Sequence, residues 1–224
     1  MKKAILLCVV FVSLIQALTA QNKTNLSLQV SAAAAANRKQ LAGYTWTRTV
    51  QVFVEGSLKN TIVSSVSVGP DGKLVTTAVS NTPTDPPPTR GIRGDIARKK
   101  IKEIKAYVDD ATAVAASYIY LSKGKMVDYF DAAGISQSGN TITVKGANVN
   151  KPNDQLVMTV AAGTLAYISQ NFSSTLTSGD AISGTANYKT FSNGLTAFND
   201  GQLDLPVKKM KLMLSNTNYA KKLQ

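Results

Sequence analysis

Two periodicities divide the chain. Between residues 22 and 43, Leu26, Val30, Ala33 and Leu41 recur at helical spacing, and the run of alanines at 32–36 is built from the strongest helix former. The pattern predicts a helix over about 26–41, ended by Gly43. A flexible linker is the other reading of the alanine run. From Tyr44 the period changes to two. One face collects Tyr44, Trp46, Arg48, Val50, Val52 and Val54, and the other holds Thr45, Thr47, Thr49, Gln51 and Phe53. That alternation predicts a strand over 44–54 with one buried face. Glu55-Gly56-Ser57 then turns the chain into a second alternating run at 59–68, and Pro70-Asp71-Gly72 turns it into a third at 74–79. Three successive strands with short turns make an antiparallel meander.

The segment 81–94 breaks the pattern. Pro83, Pro86, Pro87 and Pro88 exclude it from a central strand, so it is expected to be an extended connector. Asp95 is a plausible N-cap for the longest helical stretch, about 95–121, in which Ile101, Ile104, Val108, Ala111 and Ala115 share a stripe with Tyr107, Val114 and Tyr118 nearby. One or two further helical turns at 126–133 end at Gly134. Strands are then expected at 141–145, 155–161, 165–177, 182–191, 203–207 and 209–215. They are separated by Ser138-Gly139-Asn140, Gly163, Ser178-Gly179-Asp180, Asn193-Gly194 and Asp200-Gly201. The fold class is α+β: a large antiparallel sheet with an N-terminal helix and a helical insertion at 95–133, all in one domain over 21–224.

The first twenty residues stand apart. Lys2 and Lys3 precede an apolar run at 4–15 and a cleavage-like Leu18-Thr19-Ala20, the three parts of a secretory signal peptide. An uncleaved anchor or core helix is the alternative, although the run falls short of the roughly 20 residues that span a bilayer. Cys8 lies inside the run without a small residue before it, and no Cys follows, so no lipid-anchored N-terminus is expected. A secreted chain of this size with no Cys after the leader points to a bacterial envelope, periplasmic or secreted.

Composition narrows the chemistry. There is no His in the chain and no Cys beyond the leader. That removes the usual general base, the Cys nucleophile and ordinary zinc sites. No enzyme activity, cofactor or metal is therefore expected, with carboxylate-only hydrolysis as the residual possibility. Asp109 and Asp110 are adjacent on a helix and diverge by about 100 degrees, a poor geometry for shared acid–base work. Asp128 and Asp131 are three apart and could face each other.

Charge adds one feature. The chain has 25 Lys and Arg against 13 Asp and Glu, a net of +12, or +10 once Lys2 and Lys3 are set aside. Arg90, Arg93, Arg98, Lys99, Lys100, Lys102 and Lys105 form a cluster containing only Asp95 and Glu103 as counter-charges. It is either a solvated helix face or a surface for an anionic membrane or acidic partner, with Arg93, Arg98, Lys99, Lys102 and Lys105 as the contact residues. The cluster lacks interleaved aromatics, so nucleic acid is not expected. The aromatic group Tyr44, Trp46 and Phe53 either packs the core or lines a pocket. Arg48 shares the Tyr44 and Trp46 face. It either sits at a cavity rim facing an anionic head group or marks the strand's exposed end.

The order of elements, together with the Tyr44-Thr45-Trp46 strand opening after a helix, resembles the half-barrel of periplasmic lipoprotein carriers of the LolA/LolB type. The resemblance is one of topology and spans most of the chain after the leader. It implies a curved sheet whose helices cover the concave side, and a cavity for a lipid, acyl chain or lipidated protein. Expected ligand-facing residues are Tyr44, Trp46, Arg48, Val50, Tyr107 and Tyr118, in a monomer. Gly69-Pro70-Asp71-Gly72-Lys73-Leu74 and the segment 90–101 also resemble uncharacterised exported bacterial proteins. The alternative function is an envelope interaction module that docks through its basic helix.

Overall fold

The alternating segments pair into one sheet. A computed structural model describes residues 2–69, 73–84 and 91–222, with side chains described from Asn22 onward and not at 91–93. Helix α1 (Lys2–Leu41) leads into β1 (Tyr44–Val54), β2 (Ser57–Val68) and β3 (Leu74–Pro83). Helices α2 (Gly91–Ile119) and α3 (Lys123–Ala132) follow. Then come β4 (Gly134–Ser138), β5 (Thr141–Ala147), β6 (Gln155–Ala161), β7 (Tyr167–Thr175), β8 (Ala181–Thr190), β9 (Thr196–Leu205) and β10 (Met210–Lys221). Side chains of the expected leader, the turn at Pro70-Asp71-Gly72, residues 85–90 of the connector and the Arg90 and Arg93 side chains lie outside the described set.

The ten strands run in the order β3-β2-β1-β10-β9-β8-β7-β6-β5-β4 as an open antiparallel sheet. It is the expected α+β half-barrel. The last strand, β10, pairs with the first, β1, from Tyr44 opposite Lys221 to Val54 opposite Met210. This closes the two halves of the chain on each other and leaves β3 and β4 as the edges. The insertion between them must therefore carry the chain from one edge to the other. Nine strand spacings of about 4.8 Å make some 43 Å, and the 29 residues of α2 rise about 44 Å. The helix is thus long enough to make the crossing. Curvature comes from register shifts at Thr45/Thr47, Val52/Phe53, Val63/Ser64, Thr159/Val160 and Asn187/Tyr188, since an extra residue bends its strand. The β1–β2 connection is Glu55-Gly56, both with positive φ (52° and 78°), the mirror-image turn that matches strand twist.

One cross-strand row shows how the concave face is built. Gly146, Leu156, Phe172, Gly184, Leu203, Leu212 and Val52 are successive register partners across seven strands. Leu156, Phe172, Leu203 and Leu212 are buried. The two glycines make room for rings: a Cβ on Gly146 would come 2.8 Å from the Tyr129 ring, and one on Gly184 would collide with Phe172. Tyr118 of α2 stacks on Phe172 at 4.7 Å between centroids, and Tyr129 and Phe130 of α3 fill the space beside it. This half of the face is solid.

Helix α1 is tied down at two points. Near its middle, Lys23 Nζ donates to Ala133 O (2.8 Å) and Thr24 Oγ1 to Asp131 Oδ1 (2.9 Å). Near its end, Asn37 Nδ2 donates to Thr196 O (2.6 Å) and Asn37 Oδ1 accepts from Thr196 N (2.7 Å). A two-point polar clamp of this kind fixes both position and rotation of the helix.

Several boundaries differ from the sequence expectation. Helix α1 starts at Lys2 and not near Leu26, while the alanine segment is helix as expected and not the alternative linker. Asp95 is not an N-cap, because α2 already starts at Gly91. Asn81, Thr82 and Pro83 belong to β3 and not to the connector; an edge strand tolerates a proline. Asp200-Gly201 is not a turn but the interior of β9. Strand β4, whose Ile135 is its one partly buried position, was not anticipated.

Candidate functional site

Where the solid packing stops, the same concave face opens into a hollow of about 930 Å³. Its floor is the sheet: Trp46 and Arg48 from β1, Asn216 and Tyr219 from β10, Phe198 from β9, Tyr188 from β8 and Tyr167 from β7. Its roof is the end of α1, through Ser31, the alanines at 33–36, Asn37, Arg38, Gln40 and Leu41. The α2–α3 junction at Ile119, Tyr120 and Leu121 supplies one wall, and Lys73 and Leu74 of the β2–β3 hairpin lie at the rim. The local sequence explains why the space is open. Alanines keep the helix stable while reaching almost nowhere into the gap beneath them. Leucines in the same places would fill it.

The floor is rigid. Trp46 stacks on Tyr219 at 5.5 Å, and Phe191 meets Tyr219 edge-on at 5.4 Å. Tyr188 contacts both Tyr167 (5.4 Å) and Phe198 (6.3 Å). A hydrogen-bond chain runs across it: Arg48 Nε donates to Asn216 Oδ1 (3.2 Å), Asn216 Nδ2 to the Tyr219 hydroxyl (3.1 Å), and that hydroxyl to Phe198 O (2.6 Å). Tyr188 OH donates to Gln170 Oε1. Burial pushes the phenols of Tyr167 and Tyr219 up to about 12, and it pushes that of Tyr188 well above its ordinary value. All three are neutral at physiological pH. Two polar atoms of the lining residues, Trp46 Nε1 and Ser31 Oγ, are buried without a partner.

Of the residues expected to face a ligand, Trp46 and Arg48 line the hollow. Four others lie outside its lining. The Tyr44 hydroxyl accepts from Asn193 Nδ2 (2.8 Å) at the end of β1, and Val50 points to the same face further down the strand. Tyr107 donates to Asp180 Oδ2 (3.0 Å). Tyr118 is 1% exposed, and its hydroxyl donates to Asp154 and accepts from Ser174. The aromatic floor from Tyr167, Tyr188, Phe198 and Tyr219 was not anticipated. The bulge opposite Asn187/Tyr188 places its extra residue, Asn199, in β9 and interrupts the alternation that would have marked Phe198 as inward-facing, whereas Tyr188 keeps parity with Ile182, Gly184 and Ala186.

The basic residues Arg98, Lys99, Lys102 and Lys105 are exposed along the first half of α2. Arg98 pairs with Asp95, and Lys105 with Asp109 at 2.6 Å. Two other carboxylates are engaged in structure: Asp110 caps Thr177 through its N–H (3.0 Å) and hydroxyl (2.9 Å), and Asp131 holds Thr24. Among the described residues no cluster of three or more His, Cys, Asp or Glu could hold a metal ion, and no helix is long and apolar enough to cross a membrane.

No protein-family model matches the sequence, and no curated relative does. Among solved structures, the chain is similar to a DUF1329 family protein from Desulfovibrio piger, at 8% identity and a TM-score of 0.42, over 91% of this chain and 93% of the other. It is also similar to a LolA superfamily protein from Nitrosomonas europaea, at 10% identity and a TM-score of 0.32, over 92% and 94%.

Proposed function

We propose that this is a non-enzymatic protein of the bacterial envelope, exported by a cleaved leader, that holds an acyl chain or similar apolar ligand in the roofed hollow. The observation that carries the reading is the hollow itself: a rigid aromatic floor left uncovered by a roof of alanines. At about 30 Å³ per molecule, 930 Å³ corresponds to some thirty waters held against mostly apolar walls. An acyl chain that displaces them gains about 0.8 kcal/mol per buried CH₂. A carrier for lipid or for a lipidated protein, acting as a monomer, is the finer form of this reading.

Trp46 is the single tryptophan and forms part of the floor. Its emission is expected to shift when a neutral apolar dye such as Nile red enters, and excess hexadecanol should reverse the shift. Filling the roof with Ala34→Phe is expected to weaken dye binding by about tenfold, equivalent to 1.4 kcal/mol. Thermal denaturation of the variant should stay near wild type, because the ring enters empty space. Undiminished dye binding by a folded A34F protein would remove the hollow as the site.

A second reading rests on a separate observation. The first half of α2 exposes Ile96 (64%) and Ile101 (49%) beside Arg98, Lys99, Lys100, Lys102 and Lys105. Apolar side chains among cations suit an anionic lipid surface. Co-sedimentation with vesicles containing phosphatidylglycerol is expected, absent with phosphatidylcholine alone and fading as salt rises. Lys99→Glu with Lys102→Glu should abolish it without touching dye binding. Equal binding to both vesicle types would sink this reading.

A further inference from the structure

The charged residues around the hollow are all of one sign. Arg38, Arg48, Lys73 and Lys123 are part of its described lining, and no Asp or Glu is. Three of them sit at the margins: Arg38 lies over the Tyr120 ring at 5.6 Å, Lys73 belongs to the β2–β3 connection, and Lys123 is the first residue of α3. Arg48 is different. It lies on β1, third from one edge of the sheet, half-buried, with Ser64 and Asn216 as its register neighbours on either side. No carboxylate pairs with it among the described residues.

Its surroundings orient it. Asn216 is 4% exposed, and its amide is fixed by the Tyr219 hydroxyl so that Oδ1 faces Arg48 Nε. That single bond holds the Nε edge of the guanidinium and leaves the terminal nitrogens uncommitted. The three nearby phenols stay protonated, so none of them supplies the missing negative charge. A half-desolvated cation with an oriented donor fork and no counter-ion is an arrangement that a carboxylate or phosphate satisfies, in a two-point contact that a neutral head group cannot reproduce.

We infer that the ligand is an anionic amphiphile, with its carboxylate or phosphate on Arg48 and its acyl chain along the aromatic floor beneath the alanine roof. The inference rests on the binding function proposed above and adds the chemistry of the head group. The lining cations at the margins favour the same sign of charge on the way in. This selects against neutral and cationic lipids of equal chain length.

Displacement of Nile red, followed through the dye and through Trp46, tests this with four C16 probes: palmitate, hexadecyl phosphate, hexadecanol and hexadecyltrimethylammonium. Palmitate, hexadecyl phosphate or both are expected to bind at least tenfold tighter than hexadecanol, and the cation weakest. Preference between the two anions tells a fatty acid from a phosphate-headed lipid as the source. Arg48→Met should bring the anions to within about twofold of hexadecanol, while Arg48→Lys keeps part of the preference. If hexadecanol binds as well as the anions to the wild-type protein, the anionic assignment is overturned while the apolar site stands. If none of the four displaces dye, both fall. The wild-type comparison decides the matter even if R48M does not fold.

Discussion

Replacing Asp154 with Asn is expected to cost the fold about 3 kcal/mol, seen as a lower urea midpoint at an unchanged slope. Asp154 is 1% exposed and accepts from four donors. Val149 N reaches Oδ1 at 2.7 Å, Asn150 N and Lys151 N reach Oδ2 at 2.8 Å each, and the Tyr118 hydroxyl completes the set. An amide in that position turns two of its own hydrogens towards groups that are themselves donors, and unpaired buried donors cost about 1–3 kcal/mol apiece. The same site makes an acid prediction. Burial pushes the Asp154 carboxyl up, but the Tyr118 hydroxyl and the three backbone N–H groups pull it down further, so it ends below its ordinary value. A folded value below the unfolded one, near about 3.9, gives stability that is complete above that pH and is lost as pH falls through the folded value. The D154N protein should therefore lose less stability between neutral and strongly acid pH than wild type does. Matching midpoints at pH 7, or the same acid slope in both proteins, would rule out this role.

The Asp154 site also explains how a hollow can exist beside a well-packed core. Tyr118 links the two: its ring stacks on Phe172, and its hydroxyl is held by Asp154 and Ser174. The next residue, Ile119, ends α2, and with Tyr120 and Leu121 just beyond it already belongs to the wall of the hollow. The end of α2 is thus anchored by buried polar contacts at one residue and borders empty space at the next three. Helix α1 repeats the scheme, with Val30 fully buried in the core and Ser31 the first residue of the roof. An unfilled space of this size persists because both helices bordering it are fixed by polar contacts, α1 also through Asn37 and Thr196 at the hollow itself, and do not depend on apolar packing across the gap. The same scheme suits a site that is formed before its ligand arrives.

How much of this was legible in the sequence follows from the physics of each signal. Strict alternation in β1 marked Trp46 and Arg48 as inward-facing, and both line the hollow. The stripe from Ile101 to Ala115 marked the buried side of α2, where Ala111 and Ala115 are core, but Ile101 at its start is 49% exposed. Tyr107 and Tyr118 carried the right face but not the right depth: helical periodicity says which side is buried, not whether protein or ligand covers it. The roof was hidden for a different reason. Alanine is informative about helix formation and silent about what lies opposite, so a run read as helix gave no sign that it roofs a cavity. The β10–β1 pairing, which brings Asn216 to Arg48, joins residues 168 apart in sequence and leaves no local trace.

Gly201 shows the cost of reading a glycine by its neighbours. Following Asp200, it carried a turn signal, yet it pairs with Leu214 on one side and Ala186 on the other within β9. The space around it gives the reason. A Cβ there would press into the Thr185 carbonyl oxygen and lie 3.1 Å from two atoms of the Phe198 ring. The carbonyl is backbone of the adjacent strand and cannot step aside without disturbing the ladder, so Gly201→Ala is expected to cost about 3 kcal/mol, the upper end for overpacking. For a domain of this size that corresponds to a loss of roughly 6–12 °C in melting temperature. Phe198 has one direction of relief, towards the hollow whose floor it forms, so the variant should also bind apolar dye more weakly than wild type. Gly163→Ala provides the contrast, since nothing lies within 4 Å of the added carbon. It should leave melting and dye affinity unchanged or raise stability by a few tenths of a kcal/mol. If G201A melts like G163A, the close approach of β8 and β9 at this point is not what holds the floor in shape.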